Sequence, residues 1–244
     1  MTRMTSDLTS YKGQNVLVTG AFSGIGAAAA DLIESRGGRV FRLDIQDIAK
    51  LDYKKLDVSD EANIKAVVNE ILGEAKEIHA VVNSAGIAGP TSTNTEDVKW
   101  ADFLRTIQID LFGSIWLTQA VLPSMKSNKY GRIVHLASIA GKEGNPGMSP
   151  YNTSKSGLIG YVKGVAKEIA TQGITINAIA PAVIRTPINE TVTEEIQKYM
   201  VSRIPVGRLG EPFEVAELIA FAASKACSFT TGFTFDISGG RATY

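Results

Sequence analysis

Short runs of Val, Ile and Leu alternate along the chain with longer segments whose apolar positions recur every three or four residues. Residues 15–20 form the first apolar run, and residues 24–35 the first segment with helical periodicity. Continued to the end, the alternation predicts seven strands, at 15–20, 39–44, 54–58, 78–85, 131–138, 174–181 and 232–237. Helices are predicted at 24–35, 60–72, 97–126, 150–171 and 212–224, with Asp60 as an N-cap. Strands that are apolar along most of their length need cover on both faces. The pattern therefore predicts an α/β protein: a seven-stranded, doubly wound parallel sheet with helices on both faces. Twelve residues between Asp44 and Asp57 are too few for a full helical crossover, so an irregular loop is expected there. With no repeat, linker or low-complexity tract, residues 1–244 are expected to form a single domain, with a flexible stretch at 1–12.

Composition narrows the partners. Twenty-five basic residues balance 25 acidic ones, so net charge draws the chain neither to nucleic acid nor to membrane, and a small-molecule substrate is expected. No apolar stretch approaches the roughly 20 residues that span a bilayer, and residues 1–13 are polar. A single cysteine, Cys227, allows no internal disulfide and no thiolate metal framework. A reducing, cytoplasmic setting is expected. His79 and His135 lie in or beside predicted strands without a second ligand at suitable spacing, so both are read as structural and no metal is expected. Trp100 and Trp116 are assigned to core or subunit packing on the long fourth-strand crossover helix.

The turn after the first strand, Thr19-Gly-Ala-Phe-Ser-Gly-Ile-Gly26, spaces its glycines as G-x-x-x-G-x-G. Gly20, Gly24 and Gly26 let backbone turn tightly and approach a pyrophosphate, whose charge suits the free N–H groups of the helix starting near Gly24. An isolated glycine cluster is weak evidence, but here strand, turn and helix fall in register, as in a Rossmann fold. Asp44 ends the second strand 18 residues beyond Gly26, where a carboxylate can accept hydrogen bonds from both ribose hydroxyls. That placement favours NAD, since a 2′-phosphate would be repelled. Arg42 lies two residues earlier, on the same strand face, and weakens the inference; a strand-end carboxylate facing water is the plain alternative for Asp44.

Tyr151 and Lys155 are four apart, hence on one face of the predicted 150–171 helix. A phenol is too weak an acid to serve unaided at neutral pH, but a neighbouring cation favours the phenolate, and Lys155 is that cation. Alone, Tyr-x-x-x-Lys is common on solvent-facing helices. Here Ser138 ends the preceding strand, at the carboxyl edge where open α/β sheets bind ligands, and its hydroxyl can hold a reacting oxygen.

With these residues in order, the chain resembles the short-chain dehydrogenase/reductase family over essentially its whole length. Thr19 to Gly26, including Ser23 and Ile25, is similar to that family's cofactor loop; Asp57-Val58 to its adenine contact; and Asn83-Ser84-Ala85-Gly86 to its Asn-Asn-Ala-Gly strand end. Ser138, Tyr151 and Lys155 match its catalytic serine, tyrosine and lysine, and Pro181, Ile184 and Thr186 its Pro-Gly-x-Ile-x-Thr segment, where the threonine contacts the nicotinamide carboxamide. The resemblance implies an NAD-dependent oxidoreductase. Tyr151 would exchange a proton with the substrate oxygen as hydride moves to or from nicotinamide, Lys155 would hold the nicotinamide ribose, and Ser138 would position the oxygen. It also implies a homotetramer whose main contact uses the 97–126 and 150–171 helices.

Three positions depart from the pattern. Asp110 stands where the family has a fourth catalytic residue, asparagine, which donates where an ionised aspartate cannot. It either keeps that role in altered form or pairs electrostatically with Lys155. Ser84 for asparagine and Ala182 for glycine keep small residues beside the cofactor. The segment at about 187–210 corresponds to the family's variable substrate lid, and Arg185, Lys198, Arg203 and Arg208 in or near it suggest a polar, acidic substrate. Lys142 and Glu143 follow Ser138 in the loop 141–147, and this loop and residues 238–244 look similar to dehydrogenases of 2-keto-3-deoxy sugar acids. The alternatives are an enzyme like the 3-oxoacyl reductases, which Asp44 opposes, and a non-catalytic NAD-sensing protein, for which Asp110 is the supporting feature.

Overall fold

The computed structural model describes residues 7–46, 52–186 and 194–244. Seven parallel strands lie in the order β3-β2-β1-β4-β5-β6-β7: β1 (Asn15–Thr19), β2 (Arg39–Asp44), β3 (Tyr53–Lys55), β4 (Ala80–Asn83), β5 (Gly131–Leu136), β6 (Ile174–Pro181) and β7 (Thr234–Ile237). All seven expected strands are present: β2 and β6 keep the expected bounds, β1, β5 and β7 are shorter at one end, β4 is shorter at both, and β3 lies at 53–55 rather than 54–58. The chain winds outward from β1 through β2 to β3, then crosses back to place β4 on the other side of β1. The topological switch point, where open α/β sheets bind ligands, thus lies between the carboxyl ends of β1 and β4.

Strand alternation sorts the core into two layers. Leu17, Phe41, Val81, Ile133 and Ile176 face one cluster, built with α2 (Glu61–Ala75), α4 (Gly113–Asn128) and α6 (Ser149–Ile169). Val16, Val18, Val40, Val82 and Val134 face the other, built with α1 (Gly24–Ser35) and α8 (Pro212–Ala222). Asp60 caps α2 as expected, accepting from the N–H groups of Ala62 and Asn63.

Some expectations are corrected. The single 97–126 helix is instead α3 (Trp100–Ile107), a π turn (Gln108–Phe112) and α4. Two short helices escaped the periodicity reading, α5 (Ala140–Glu143) and α7 (Glu194–Ser202), because one or two turns carry too few repeats to register. Within the expected flexible stretch, residues 1–6 lie outside the described residues, yet Tyr11 is fully buried and its hydroxyl donates to the Ala220 carbonyl at 2.6 Å. Residues 47–51 of the expected irregular loop, and 187–193 of the expected lid, also lie outside the described residues. Trp116 packs against the core and Trp100 is exposed, stacked on Phe103. Among the described residues, no helix is long and apolar enough to cross a membrane, and no group of three or more His, Cys, Asp or Glu could hold a metal ion.

Candidate active site

The glycine loop leaves β1 and enters α1 against the ends of β4 and β6. Gly24 has φ +53°, and a Cβ there would sit 3.1 Å from Thr186 Cγ2, so the loop touches the segment that follows β6. At Gly26 a Cβ would lie 2.1 Å from the Gly20 carbonyl oxygen, a distance no side chain tolerates. Ser23 is exposed at the N-cap position of α1, and Ile25 is half-buried beside it. Bare backbone at these positions is a cradle that fits a pyrophosphate at a helix N-terminus.

Asp44 closes the far side of this cradle. Its carboxylate accepts the Phe22 N–H at 3.3 Å, which places it against the glycine loop and half-exposed toward the crevice. Arg42, a possible complication from sequence, is 6 % exposed and turned onto α1, where Glu34 holds it at 2.8 and 3.1 Å and Asp31 pairs with it as well. Two carboxylates thus occupy the guanidinium that a 2′-phosphate would need. Asp57 accepts both the N–H and hydroxyl of Ser59, and Val58 is buried where Gly113 brings α4 against it.

Under the cradle runs a buried network. Thr19 Oγ1 donates to Asn83 Oδ1 at 2.6 Å and accepts the N–H groups of Ser84 and Ala85, tying the ends of β1 and β4 together. Asn83 Nδ2 reaches Ser114 Oγ and His135 Nδ1, and Ser114 Oγ donates to the Asp110 carbonyl. Thr118 spends its hydroxyl proton on the Ser114 carbonyl, so His135 Nε2–H must donate to Thr118 Oγ1, and the ring is neutral. Burial, with the nearby Lys155 charge, pushes His135 down to about 3. His135 is thus structural, as is His79, whose Nδ1 accepts the Asn15 N–H.

The chemical residues converge at the carboxyl ends of β4 and β5. Pro150 sits in the first turn of α6, where its missing N–H costs nothing, and the helix puts Tyr151 and Lys155 on one face. Lys155 Nζ lies 5.5 Å from the Tyr151 ring centroid and donates to the Leu136 carbonyl at 3.0 Å. Ser138, two residues beyond β5, is held by the Ala140 N–H at 3.1 Å, the first turn of α5. The π turn swings Asp110 inward: Oδ1 accepts the Ile87 N–H at 2.9 Å, and Oδ2 lies 3.3 Å from Ser154 Oγ and 3.7 Å from Lys155 Nζ. Gly86 covers this pair, since a Cβ there would meet Asp110 Oδ1 at 3.0 Å and Lys155 Nζ at 3.4 Å. Asp110 is fully buried; desolvation pushes its carboxyl up, and the Lys155 ammonium offsets that only in part. Ile184 is buried, bridging to Gly210 beyond the lid, and Pro181 ends β6.

Three of the cations named from sequence have carboxylate partners. Arg185 pairs with Glu211, Arg208 grips Glu214 with both terminal nitrogens, and Lys142 pairs with Asp236. Sequence reasoning missed Ser114 and Ser154, and it read Thr19 only as the start of the glycine loop and Arg241 only as part of residues 238–244, without their contacts to distant elements.

Residues 20–242 match the family model described as enoyl-(acyl carrier protein) reductase. A 2-dehydro-3-deoxy-L-rhamnonate dehydrogenase (NAD(+)) of Sphingomonas sp. is 41 % identical over 243 residues, covering 96 % of this chain and 97 % of that protein. The 3-oxoacyl-(acyl-carrier-protein) reductase FabG of Thermotoga maritima is 38 % identical, over 94 % of this chain and 98 % of its own length. Among solved structures, gox2181 superposes with a TM-score of 0.91 at 28 % identity, covering 96 % of this chain and 97 % of its own. Aldohexose dehydrogenase of Thermoplasma acidophilum, in ligand-free form, reaches 0.87 at 30 % identity, covering 95 % and 94 %. Sheet order, glycine cradle and these relatives agree that the chain belongs to the short-chain dehydrogenase/reductase family.

Proposed function

We propose that the protein is an NAD-dependent dehydrogenase that interconverts a secondary alcohol and a ketone on a polar sugar-derived acid, with a 2-keto-3-deoxy sugar acid as substrate. The observation that carries the reaction type is Lys155 beside Tyr151 at the sheet's carboxyl edge, next to Gly86 and the glycine cradle. The substrate class rests on the 41 % identical relative and its printed activity. Arg185 and Arg208 give it no support, because each pairs with a carboxylate.

NAD, when bound, takes up the hydride from the alcohol carbon and returns it in the reverse reaction. The backbone of Gly20, Gly24, Ile25 and Gly26 would hold its pyrophosphate, Asp44 the adenosine ribose, Asp57 and Val58 the adenine, and Asn83, Ala85 and Gly86 the floor beneath. Ile184 and Thr186 would meet the nicotinamide. Ser138 orients the substrate oxygen, and Tyr151 accepts its proton as the carbonyl forms. Lys155 sets its positive charge beside the Tyr151 ring and would hold the nicotinamide ribose. Asp110, with its Ile87 and Ser154 contacts, fixes the Lys155 end of α6 against β4. Exposed Phe112 and Leu104 on the π turn and α3 suit burial in the homotetramer that is part of this proposal.

A panel of sugar acids, sugars, acyl thioesters and cyclic diols, offered with NAD and NADP and read by absorbance of the reduced cofactor, tests the reading. Turnover of 2-keto-3-deoxy sugar acids with NAD is expected. Activity confined to thioesters and cyclic diols would sink the substrate class, and thioester reduction with the phosphorylated cofactor would favour the FabG-like alternative. If NADH bound tightly and nothing turned over, the sensor alternative would stand.

Cofactor choice has its own test at Asp44. Asp44→Ala removes a hydrogen-bond acceptor and the repulsive charge together, so kcat/KM with NAD should fall about 10-fold or more, from an interaction of ~1.5–3 kcal/mol. Discrimination against NADP should narrow in the same variant. An unchanged NAD/NADP ratio would remove Asp44 from the cofactor site.

A further inference from the structure

The loop after Ser138 is tied down by a segment from the other end of the chain. Arg241, four residues beyond β7, is only 8 % exposed at its side chain, an unusual place for a guanidinium unless its donors are used. Nε donates to Glu143 Oε2 at 3.0 Å and NH2 to Asn145 Oδ1 at 2.7 Å. Asn145 then meets α6: its N–H donates to Asn152 Oδ1 at 3.0 Å, and its carbonyl accepts Asn152 Nδ2 at 2.8 Å. Asn152 directly follows Tyr151. Beyond Asn145, the Gly147 carbonyl accepts the Thr93 N–H, so the loop bridges from the end of β5 to the segment leaving β4. Its near end is pinned too, by Tyr244 Oη donating to the Lys142 carbonyl at 2.6 Å.

From these contacts we infer that Arg241 is a positioning residue for substrate binding: through Asn145 it fixes the 141–147 loop against the Tyr151 end of α6. A fork is needed for the task, because one donor must hold the helical turn at Glu143 while another holds the loop at Asn145. A lysine ammonium has three donors but all on one nitrogen, so it lacks the planar fork whose separate nitrogens reach Glu143 and Asn145. None of these contacts reaches the glycine cradle, so the loop's order should govern substrate affinity and leave nucleotide affinity alone. The inference rests on the dehydrogenase reading for its kinetic arm only.

Arg241→Ala and Asn145→Ala are each expected to raise substrate KM about 10-fold while kcat stays within threefold and the NADH dissociation constant is unchanged. Arg241→Lys should keep thermal stability closer to the parent yet still raise KM severalfold. The double variant should raise KM no further than the larger single, because both substitutions break one chain of contacts. Amide hydrogen exchange in the absence of substrate should be faster at 141–147 in all three single variants, a readout that needs no turnover and so survives failure of the proposed activity. Unchanged exchange in that loop would overturn the inference, as would KM effects that multiply in the double variant. A parallel loss of NADH affinity would also overturn it, since Arg241 would then be acting on the fold as a whole.

Discussion

Replacing Tyr151 by Phe is expected to lower kcat about 10³-fold or more while NADH binding stays within a few-fold of the parent. The substitution removes one oxygen and leaves the ring, so packing on α6 is kept and only proton exchange is lost. General acid–base transfer of this kind contributes about 10²–10⁴-fold, and no neighbouring group can substitute for the phenol. The Ser138 hydroxyl is held by the Ala140 N–H, and the Lys155 ammonium is turned to the Leu136 carbonyl. Initial rates with saturating NAD, set beside a fluorescence titration of NADH, separate the two quantities. A kcat within tenfold of the parent would take Tyr151 out of the chemistry, and a matching loss of NADH affinity would make it a binding residue.

The sheet was legible because its determinants are local. Most strands carry a run of apolar residues, most helices span several turns, and both periods write themselves into the sequence; β3, Tyr-Lys-Lys, is the exception. Tyr151 and Lys155 could be read for the same reason, since four residues on a helix fix a shared face whatever surrounds it. Asp44 was legible as a strand end, but the fate of Arg42 was not. The same-face argument put it beside the ribose, whereas Asp31 and Glu34, one helix away, turn it onto α1. Charge near the expected lid was read without its partners in the same way: Arg185 and Arg208 pair with Glu211 and Glu214. The π turn at 108–112 was invisible because one extra residue in a helical turn leaves the apolar pattern of α3 and α4 almost intact. What sequence spacing cannot express is a hydrogen bond between elements distant in the chain, and Thr19 with Asn83, 64 residues apart, or Arg241 with Asn145, 96 apart, are bonds of that kind.

Asp110 and Lys155 answer a question that the asparagine-to-aspartate departure left open. The carboxylate has no exposed surface, and its nearest cation lies at 3.7 Å, beyond a good hydrogen bond but close enough to matter electrostatically. Lys155→Met should therefore do two kinds of damage. Turnover should be lost with the cation that favours the phenolate, and the fold should weaken because a buried carboxyl loses its counter-charge. Removing one partner of such a pair costs about 3–5 kcal/mol, or on the order of 10 °C in Tm for a domain of this size. The pH dependence follows from direction alone. Desolvation already raises the Asp110 carboxyl above its ordinary value, and Lys155 is the largest influence opposing that rise, so its removal raises the carboxyl further. A folded state that holds a proton more tightly than the unfolded chain is favoured at low pH and loses stability as pH climbs through the folded value. The Tm deficit of Lys155→Met should accordingly be small near pH 4 and widen toward neutrality. Adding Asp110→Asn removes the ionisation, so the double variant should be more stable than Lys155→Met at pH 7 and its deficit should no longer widen with pH. Calorimetry of the three proteins from pH 4 to 8 reads both effects. A deficit that is flat with pH, or a double variant no more stable than the single, would show that Asp110 does not bury a charge beside Lys155.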